Sequence, residues 1–231
     1  ALRNELSRLI SKREIINLRQ EFYLIIPPRF RHYGKLPVEL YIDKLFNQLE
    51  KPYYVAFFSA AGFHGASHQQ IQKDYILTSL PNLRDIKKGP IHLRIFATKK
   101  WPEKNIHDRK SETGYVKVSS PFLTAVDLIN YQTKLGGING ILTVIEELIE
   151  EMNLEDLEDL LSWYPYKSTL QRLGLLLELL SAGDNMTEYL YGYLSEKKYF
   201  PVLLSPQENK KAGSTDNRWK VDMNVKLESD L

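Results

Sequence analysis

Cysteine is absent from all 231 residues, and with it go disulfides, thiolate nucleophiles and cysteine-ligated zinc or iron–sulfur sites. The same absence suits a reducing compartment. Long hydrophobic runs are missing too. The longest largely apolar stretches, Tyr53–Ala61 and Leu173–Leu180, fall well short of the ~20 residues that cross a bilayer. No signal peptide opens the chain, so the expectation is a soluble, cytoplasmic protein with no membrane partner. Nor is there an excess of one charge: 31 Lys+Arg stand against 29 Asp+Glu, a net of +2, too close to zero to imply a polyanion partner by itself. No GxxxxGKS or GxxxxGKT run marks a P-loop, no GxSxG marks a nucleophile elbow, and no fixed period repeats along the chain. What is present is ordinary for a globule. The 43% of hydrophobic and 26% of charged residues exclude a disordered or fibrous chain and are enough for a core. The length suits one or two domains of the usual ~150 residues.

The near-neutral total hides a segregation. Residues 1–33 carry a net +4, residues 34–145 a net +6, residues 146–196 a net −10 and residues 197–231 a net +2. A basic N-terminal part therefore precedes an acidic helical part. The first suits nucleic acid, the second a basic protein or the chain's own domain. Solvated helix faces are the plainer reading of the acidic block.

Leu2, Leu6, Leu9 and Ile10 recur at three-to-four spacing, with Arg3, Arg8, Lys12 and Arg13 between them. That pattern predicts a short amphipathic helix over residues 2–16 with a basic face. Glu21–Ile26, aromatic and β-branched and closed by Pro27-Pro28, reads as a strand ending in a turn. Pro37 suits the first position of a helix to Leu49, with Leu40, Tyr41, Leu45 and Leu49 inward. Tyr53–Gly65, apolar on nearly every side, reads as a buried helix. Asp74–Ser79 is too short and mixed to assign. Alternation at Ile91, Leu93, Ile95 and at Val116, Val118 gives strands of a half-exposed sheet. Ser119 or Ser120 before Pro121 starts a helix to about Tyr131. Beyond the Gly136-Gly137 break, helices are expected at Ile138–Met152, Leu154–Trp163, Ser168–Ala182 and Met186–Ser195. Tyr199–Leu204 is a short candidate strand, Pro206–Asn217 a polar loop, and Trp219–Val225 a strand by its alternation. The expected fold class is α+β.

No motif in the sequence supports catalytic or metal chemistry. His64 and His68 stand four apart, as two zinc ligands on one helix face would, but His64-Gly65-Ala66-Ser67-His68 lacks the glutamate of a zincin. Hydrogen-bonded structural histidines are the better reading. Ser59, five residues before His64, sits in no nucleophile elbow. Gly136-Gly137-Ile138-Asn139-Gly140 lacks the GxGxxG spacing and reads as a turn. Gly213-Ser214 followed by Asp222-Met223-Asn224 approaches a nucleotidyltransferase pattern, yet Mg²⁺ there needs two carboxylates and the second place holds a neutral amide. No catalytic residue, metal ligand or cofactor follows.

Three stretches stand out together: Glu21–Pro28 (EFYLIIPP), Tyr53–Gln70 (YYVAFFSAAGFHGASHQQ) and Gly114–Leu128 (GYVKVSSPFLTAVDL). In order and spacing they resemble the AbiEi family of abortive-infection antitoxins, the antitoxin half of type IV toxin–antitoxin pairs. Gln171-Arg172-Leu173-Gly174 and the closing Trp219–Leu231 also suit it, so the resemblance covers nearly the whole chain. It implies an antitoxin that counteracts a nucleotidyltransferase toxin and represses its own operon by binding promoter DNA through an N-terminal winged helix-turn-helix, with no catalysis of its own. On this chain it implies a partial winged helix in residues 1–33, recognition helix and wing, and an antitoxin domain in 34–231. That domain divides into a mixed α/β part (34–135), a helical part (136–196) and closing strands (197–231).

By the same resemblance Arg3, Asn4, Ser7, Arg8 and Ser11 would face DNA, with Lys12, Arg13 and Arg19 near its backbone. An amphipathic surface helix with solvated charges is the plain alternative for these residues. A winged helix places about two helices before its recognition helix, and Ala1 falls inside what would be the third, which leaves DNA reading by this chain open. No single residue is singled out for toxin countering. Tyr164, Tyr166, Tyr189, Tyr191 and Tyr193 suit a protein-contact surface, or simply helix packing. Two other functions fit the same residues: a DNA-binding regulator with a ligand- or protein-sensing C-terminal domain, and a divergent nucleotidyltransferase-like enzyme.

Overall fold

A computed structural model describes residues 2–30, 36–66, 72–207 and 210–228. The chain divides into two units of interleaved segments: Ala1–Ser59, Gln70–Trp101 and His107–Val118 in the first, Ala60–Gln69, Pro102–Ile106 and Ser119–Leu231 in the second. The fold is α+β.

The first unit opens with helix α1 (Leu2–Ser11) and an antiparallel hairpin of β1 (Ile15–Arg19) and β2 (Phe22–Ile25). The helix stops at Ser11, short of residue 16. Arg13 takes a φ of 56°, while its amide and that of Glu14 donate to the carbonyls of Ile10 (2.9 Å) and Leu9 (3.0 Å), which closes the helix with a left-handed cap. The β-branched pair Ile15-Ile16 then goes to strand instead of helix. Asn17 pairs with Tyr23 and Arg19 with Phe22, so Leu18 is the extra residue of a bulge. That bulge puts Leu18 on the buried side with Ile15, three positions away, where strict alternation would have put Asn17 and Arg19.

Pro37 opens a single 3₁₀ turn (Val38–Leu40), and the helix proper is α2 (Ile42–Gln48). Ile42, Leu45 and Phe46 are its buried residues, with Tyr41 buried just before it. Six strands follow in one mixed sheet: β3 (Tyr53–Val55), β4 (Asp74–Ser79), β5 (Ile86–Lys88), β6 (Ile91–Thr98), β7 (Ile106–Ser111) and β8 (Gly114–Ser119), in the order β5-β6-β4-β3-β8-β7. β3 runs antiparallel to β4 and parallel to β8, and β4 runs parallel to β6. Tyr53, Tyr54 and Val55 are all buried.

This corrects the helix expected over Tyr53–Gly65. The run is a three-residue strand, then α3 (Phe57–Phe63), joined at Phe57 with a φ of 53°. A strand buried on both faces has no alternation, and periodicity alone does not distinguish it from a buried helix. Asp74–Ser79, too short and mixed to assign from sequence, is strand β4, with polar Asp74 and Thr78 buried beside Ile76. The Tyr53 hydroxyl donates to Asp43 on α2 (3.1 Å), and burial, with the neighbouring carboxylate, holds that phenol well above its usual pKa.

The second unit packs α4 (Pro121–Asn130), α5 (Asn139–Leu148), α6 (Leu154–Trp163), α7 (Lys167–Leu179) and α8 (Asp184–Ser195). Nine consecutive residues of α4, Pro121–Ile129, are buried, which makes it the central helix. It starts where the sequence placed it: the Ser120 hydroxyl caps it by accepting from the Leu123 amide (3.2 Å), with proline in the first turn. Asp156 on α6 adds a second anion there, accepting from the Phe122 amide (2.9 Å). Buried Asn105 completes the network. Its side-chain amide donates to Asp156 Oδ1 (2.6 Å) and to the Asp156 carbonyl (2.8 Å), while its Oδ1 accepts from the Trp163 indole (2.8 Å).

The closing segment forms only a two-residue parallel pair, β9 (Val202–Leu203) with β10 (Val221–Asp222), not the strand expected over Trp219–Val225. Its anchor is Trp219, fully buried against Gly174 of α7. A Cβ at Gly174 would lie 2.1 Å from the Trp219 ring, whereas one on the α8 glycine, Gly192, would meet nothing within 4 Å. Gly174→Ala is therefore expected to destabilise by about 1–3 kcal/mol or more. Gly192→Ala is expected to stabilise by up to ~1 kcal/mol through helix propensity alone. Urea unfolding of the two variants checks this: the midpoints should move in opposite directions.

Candidate nucleic-acid interface

At ~100° per residue, Arg3, Ser7, Ser11, Asn4 and Arg8 fall within an arc of about 140° on α1, and Leu2, Leu6, Leu9 and Ile10 take the opposite side. The first five are all exposed, as are Lys12 and Arg13 in the turn that follows. Arg19 differs: it lies half-buried in β1, with Nη1 enclosed and without a hydrogen-bond partner. The helix buries none of its residues, and Leu2 on the apolar side is 74% exposed.

The polar face is already partly engaged. Ser7 Oγ donates to the Arg3 carbonyl (3.0 Å) and Ser11 Oγ to the Arg8 carbonyl (2.7 Å), so each hydroxyl offers only lone pairs outward. Arg8 pairs with Glu5 on the same helix, an exposed contact that costs little to exchange for another anion. Beside the helix end runs a groove of about 790 Å³, floored by Ile10, Ile15, Ile26 and Phe30, with Lys12, Arg13 and Lys88 also lining it. A helix with one basic face followed by a two-stranded hairpin is an arrangement that sets side chains into a major groove and cations against phosphates.

Elsewhere the residues singled out in the sequence have structural duties. His64 is buried, its Nε2 2.7 Å from the Ser119 carbonyl; His68 lies outside the described residues. The Ser59 hydroxyl accepts from the Tyr75 amide (2.9 Å). Asp222 accepts from the Gly213 amide (2.8 Å), and the Asn224 side chain exchanges two bonds with the Ser205 backbone (3.0 and 2.9 Å). The Gly-Ser and Asp-x-Asn pieces thus meet, as a loop tie. No group of three His, Cys, Asp or Glu among the described residues is placed to hold a metal ion, and no described helix is long and apolar enough to cross a membrane. Of the five tyrosines, Tyr164 is buried, Tyr191 packs edge-on to Trp219 at 5.7 Å, and Tyr189 is exposed.

Residues 54–179 match the family described as the AbiEi antitoxin C-terminal domain. No curated protein matches the chain. Among solved structures, the RV2827C protein from Mycobacterium tuberculosis is similar at 14% identity with a TM-score of 0.63, covering 94% of this chain and 78% of that one. The likeness is one of fold. An antigenic nucleotidyltransferase-like protein from Paracoccidioides brasiliensis also matches, at 12% identity and a TM-score of 0.37, over 63% of this chain and 91% of that one.

Arg13 carries both a charge and an αL backbone, and the two separate by substitution. Arg13→Gly removes the charge where glycine suits the backbone, and is expected to leave stability unchanged or raise it by ~0.5 kcal/mol. Arg13→Val puts a β-branched residue in the left-handed region and is expected to lower stability by about 1–2 kcal/mol. Thermal unfolding of the two variants orders them.

Proposed function

The chain belongs to the AbiEi antitoxin family, and from that premise we propose that it counteracts a nucleotidyltransferase toxin in a type IV pair and represses its own operon through α1 and the β1–β2 hairpin. The family is one of antitoxins in toxin–antitoxin, abortive-infection systems, not of enzymes. The observation that carries the toxin-countering reading is the family match, which runs from within β3 to the end of α7. Residues 34–231 are the proposed antitoxin domain, acting in the cytoplasm.

The repressor reading rests on the exposed basic face. Arg3, Asn4, Ser7, Arg8 and Ser11 would meet base edges, and Lys12, Arg13 and Arg19 the phosphates and sugars. The back-bonded serines would accept from base amino groups. Arg19 would need its half-buried guanidinium to turn outward. These residues make a partial winged helix, with residues 1–33 supplying recognition helix and wing.

Two measurements test the two halves separately. Co-expression of the intact chain with the neighbouring toxin gene is expected to restore host growth, and an Arg3→Ala/Arg8→Ala/Lys12→Ala variant to restore it equally; no rescue by soluble protein would overturn the antitoxin role. Titration of the intact chain with its promoter duplex should give log affinity falling linearly with log salt. Lys12→Ala should flatten that slope by about 0.9, and Arg3→Ala should cost ~1–3 kcal/mol at one base position. A flat salt response would remove α1 from DNA binding and leave rescue untouched.

A further inference from the structure

The acidic block of residues 146–196 is followed at once by a reversal of charge. Between residues 197 and 220 stand Lys197, Lys198, Lys210, Lys211, Arg218 and Lys220 against only Glu208 and Asp216. The structure gathers four of these cations around one groove of about 980 Å³ that begins at Tyr191 on α8 and is walled by residues 197–201 and 215–220.

Each of the four is seated on an aromatic ring. Lys197 Nζ lies 4.0 Å over Tyr193, Lys198 Nζ 5.4 Å over Phe200, and Lys220 Nζ 4.4 Å over Tyr199. The Arg218 guanidinium lies 4.8 Å over Tyr191 and 5.2 Å over Trp219. Arg218 is neutralised, bonded through Nε to Glu178 (2.7 Å) and through Nη1 to Glu188 (2.6 Å). No described carboxylate pairs with Lys197, Lys198 or Lys220. Phe200, in the same wall, is 65% exposed.

The wall is also fixed in advance. Lys220 sits at a φ of 54°, held there by its amide bond to the Asn217 carbonyl (3.1 Å) and by the Val202 amide donating to its own carbonyl (3.0 Å). The Asn217 side chain bonds both backbone groups of Val221 (2.7 and 3.1 Å). A left-handed lysine at the rim of a groove, over-determined by its neighbours, is a place where backbone strain is spent on placing a side chain.

We propose that this groove binds single-stranded nucleic acid. Unpaired bases would stack on the exposed ring of Phe200, and the phosphates on either side would meet Lys197, Lys198 and Lys220. Rings and cations alternating along a groove are what such a strand needs, since every base has a π-face and every linkage an anion. A duplex keeps its bases stacked inside and leaves the rings without partners. An acidic peptide would satisfy the lysines and leave Phe200 in water. Ribose and deoxyribose strands share the chemistry the groove recognises, so oligo-uridine and oligo-thymidine form two arms of the test.

Fluorescence anisotropy of the intact chain with labelled oligo-uridine, labelled oligo-thymidine and a mixed-sequence duplex reads the outcome. Single strands of at least one kind are expected to bind, and Phe200→Ala to weaken them by between about fivefold and a hundredfold. Lys197→Ala/Lys198→Ala should reduce the salt slope by ~0.7 for each lysine. Phe200 projects from the surface, so its loss should leave the unfolding midpoint in place. Three results would each overturn the proposal: no binding of either single strand at low salt, equal affinity for parent and Phe200→Ala, or displacement by poly-glutamate that is as effective as by unlabelled oligonucleotide.

Discussion

One turn of α7 holds the end of the chain in place. Gln171 donates its amide to two carbonyls, those of Phe200 (2.9 Å) and Trp219 (2.8 Å), and so bridges the two ends of a long connection. Arg172, buried deeply enough that its guanidinium falls below its usual pKa, donates through Nε to the Leu203 carbonyl (2.8 Å). Gly174 leaves the space into which the Trp219 ring fits, and the Trp219 indole donates to Glu178 (2.6 Å) one turn further along. A parallel pair of two residues has almost no stability of its own. The pairing of β9 with β10 follows from α7, not the reverse. The Tyr191–Trp219 contact, the clamp on Arg218 and the wall of the basic groove all inherit their positions from this turn.

In the first unit the comparable constraint is burial on two faces. Phe57 carries it: its ring lies 5.0 Å from Phe96 and 6.1 Å from Tyr75, both edge-on, while its backbone stands in the left-handed region between β3 and α3. Such a conformation in a bulky residue survives only where packing dictates it. The ring contacts and the bond from the Tyr75 amide to Ser59 supply that packing. The strained turn therefore belongs to the architecture of the sheet, and the serine two residues on is spent as an acceptor.

Much of the helical part was legible because its signals are local. Ser120-Pro121 marks a helix start by capping chemistry, Gly136 and Gly137 mark a break by their positive φ of 100° and 81°, and α6 begins and ends where its apolar period does. The strands divide by exposure. β6 keeps Ile91, Leu93 and Ile95 buried with His92 and Arg94 half-exposed, so alternation found it, whereas β3 is buried throughout and β4 buries the polar Asp74 and Thr78 on the same face as Ile76. β1 was hidden by its bulge, which spaces Ile15 and Leu18 as a helix would. Trp219–Val225 misled in the opposite direction. Its alternation is real in sequence, but Trp219 is buried by a glycine on α7 and Met223 is 46% exposed, so the pattern reflects one anchor and not a strand. The basic face of α1 was readable for the same local reason, while the enclosure of Arg19 depends on the bulge beside it.

The pairing of Gln171-Arg172-Leu173-Gly174 with the closing segment changes how the nearby sequence should be weighed. Asp222 and Asn224, read by spacing alone, approach a metal-binding pair; read by contact, both terminate loops that Trp219 has already brought against α7. Lys197 and Lys198 look in sequence like the solubilising tail of an acidic helix. In space they face Lys220 across the same groove, because the segments on either side of a polar loop are held together at Val202 and Val221. Charge counted along the chain averages these lysines into a weakly basic terminus. Charge counted around the groove gives three ammonium groups seated on rings against the single carboxylate of Asp216, inside a unit whose helices are strongly acidic. An acidic surround repels polyanions over the distance of a Debye length, about 8–10 Å at moderate salt. A strand of nucleic acid would thus be admitted along the groove and turned away from the helices beside it, and the same charges that keep the helical surface solvated would define where the strand may lie.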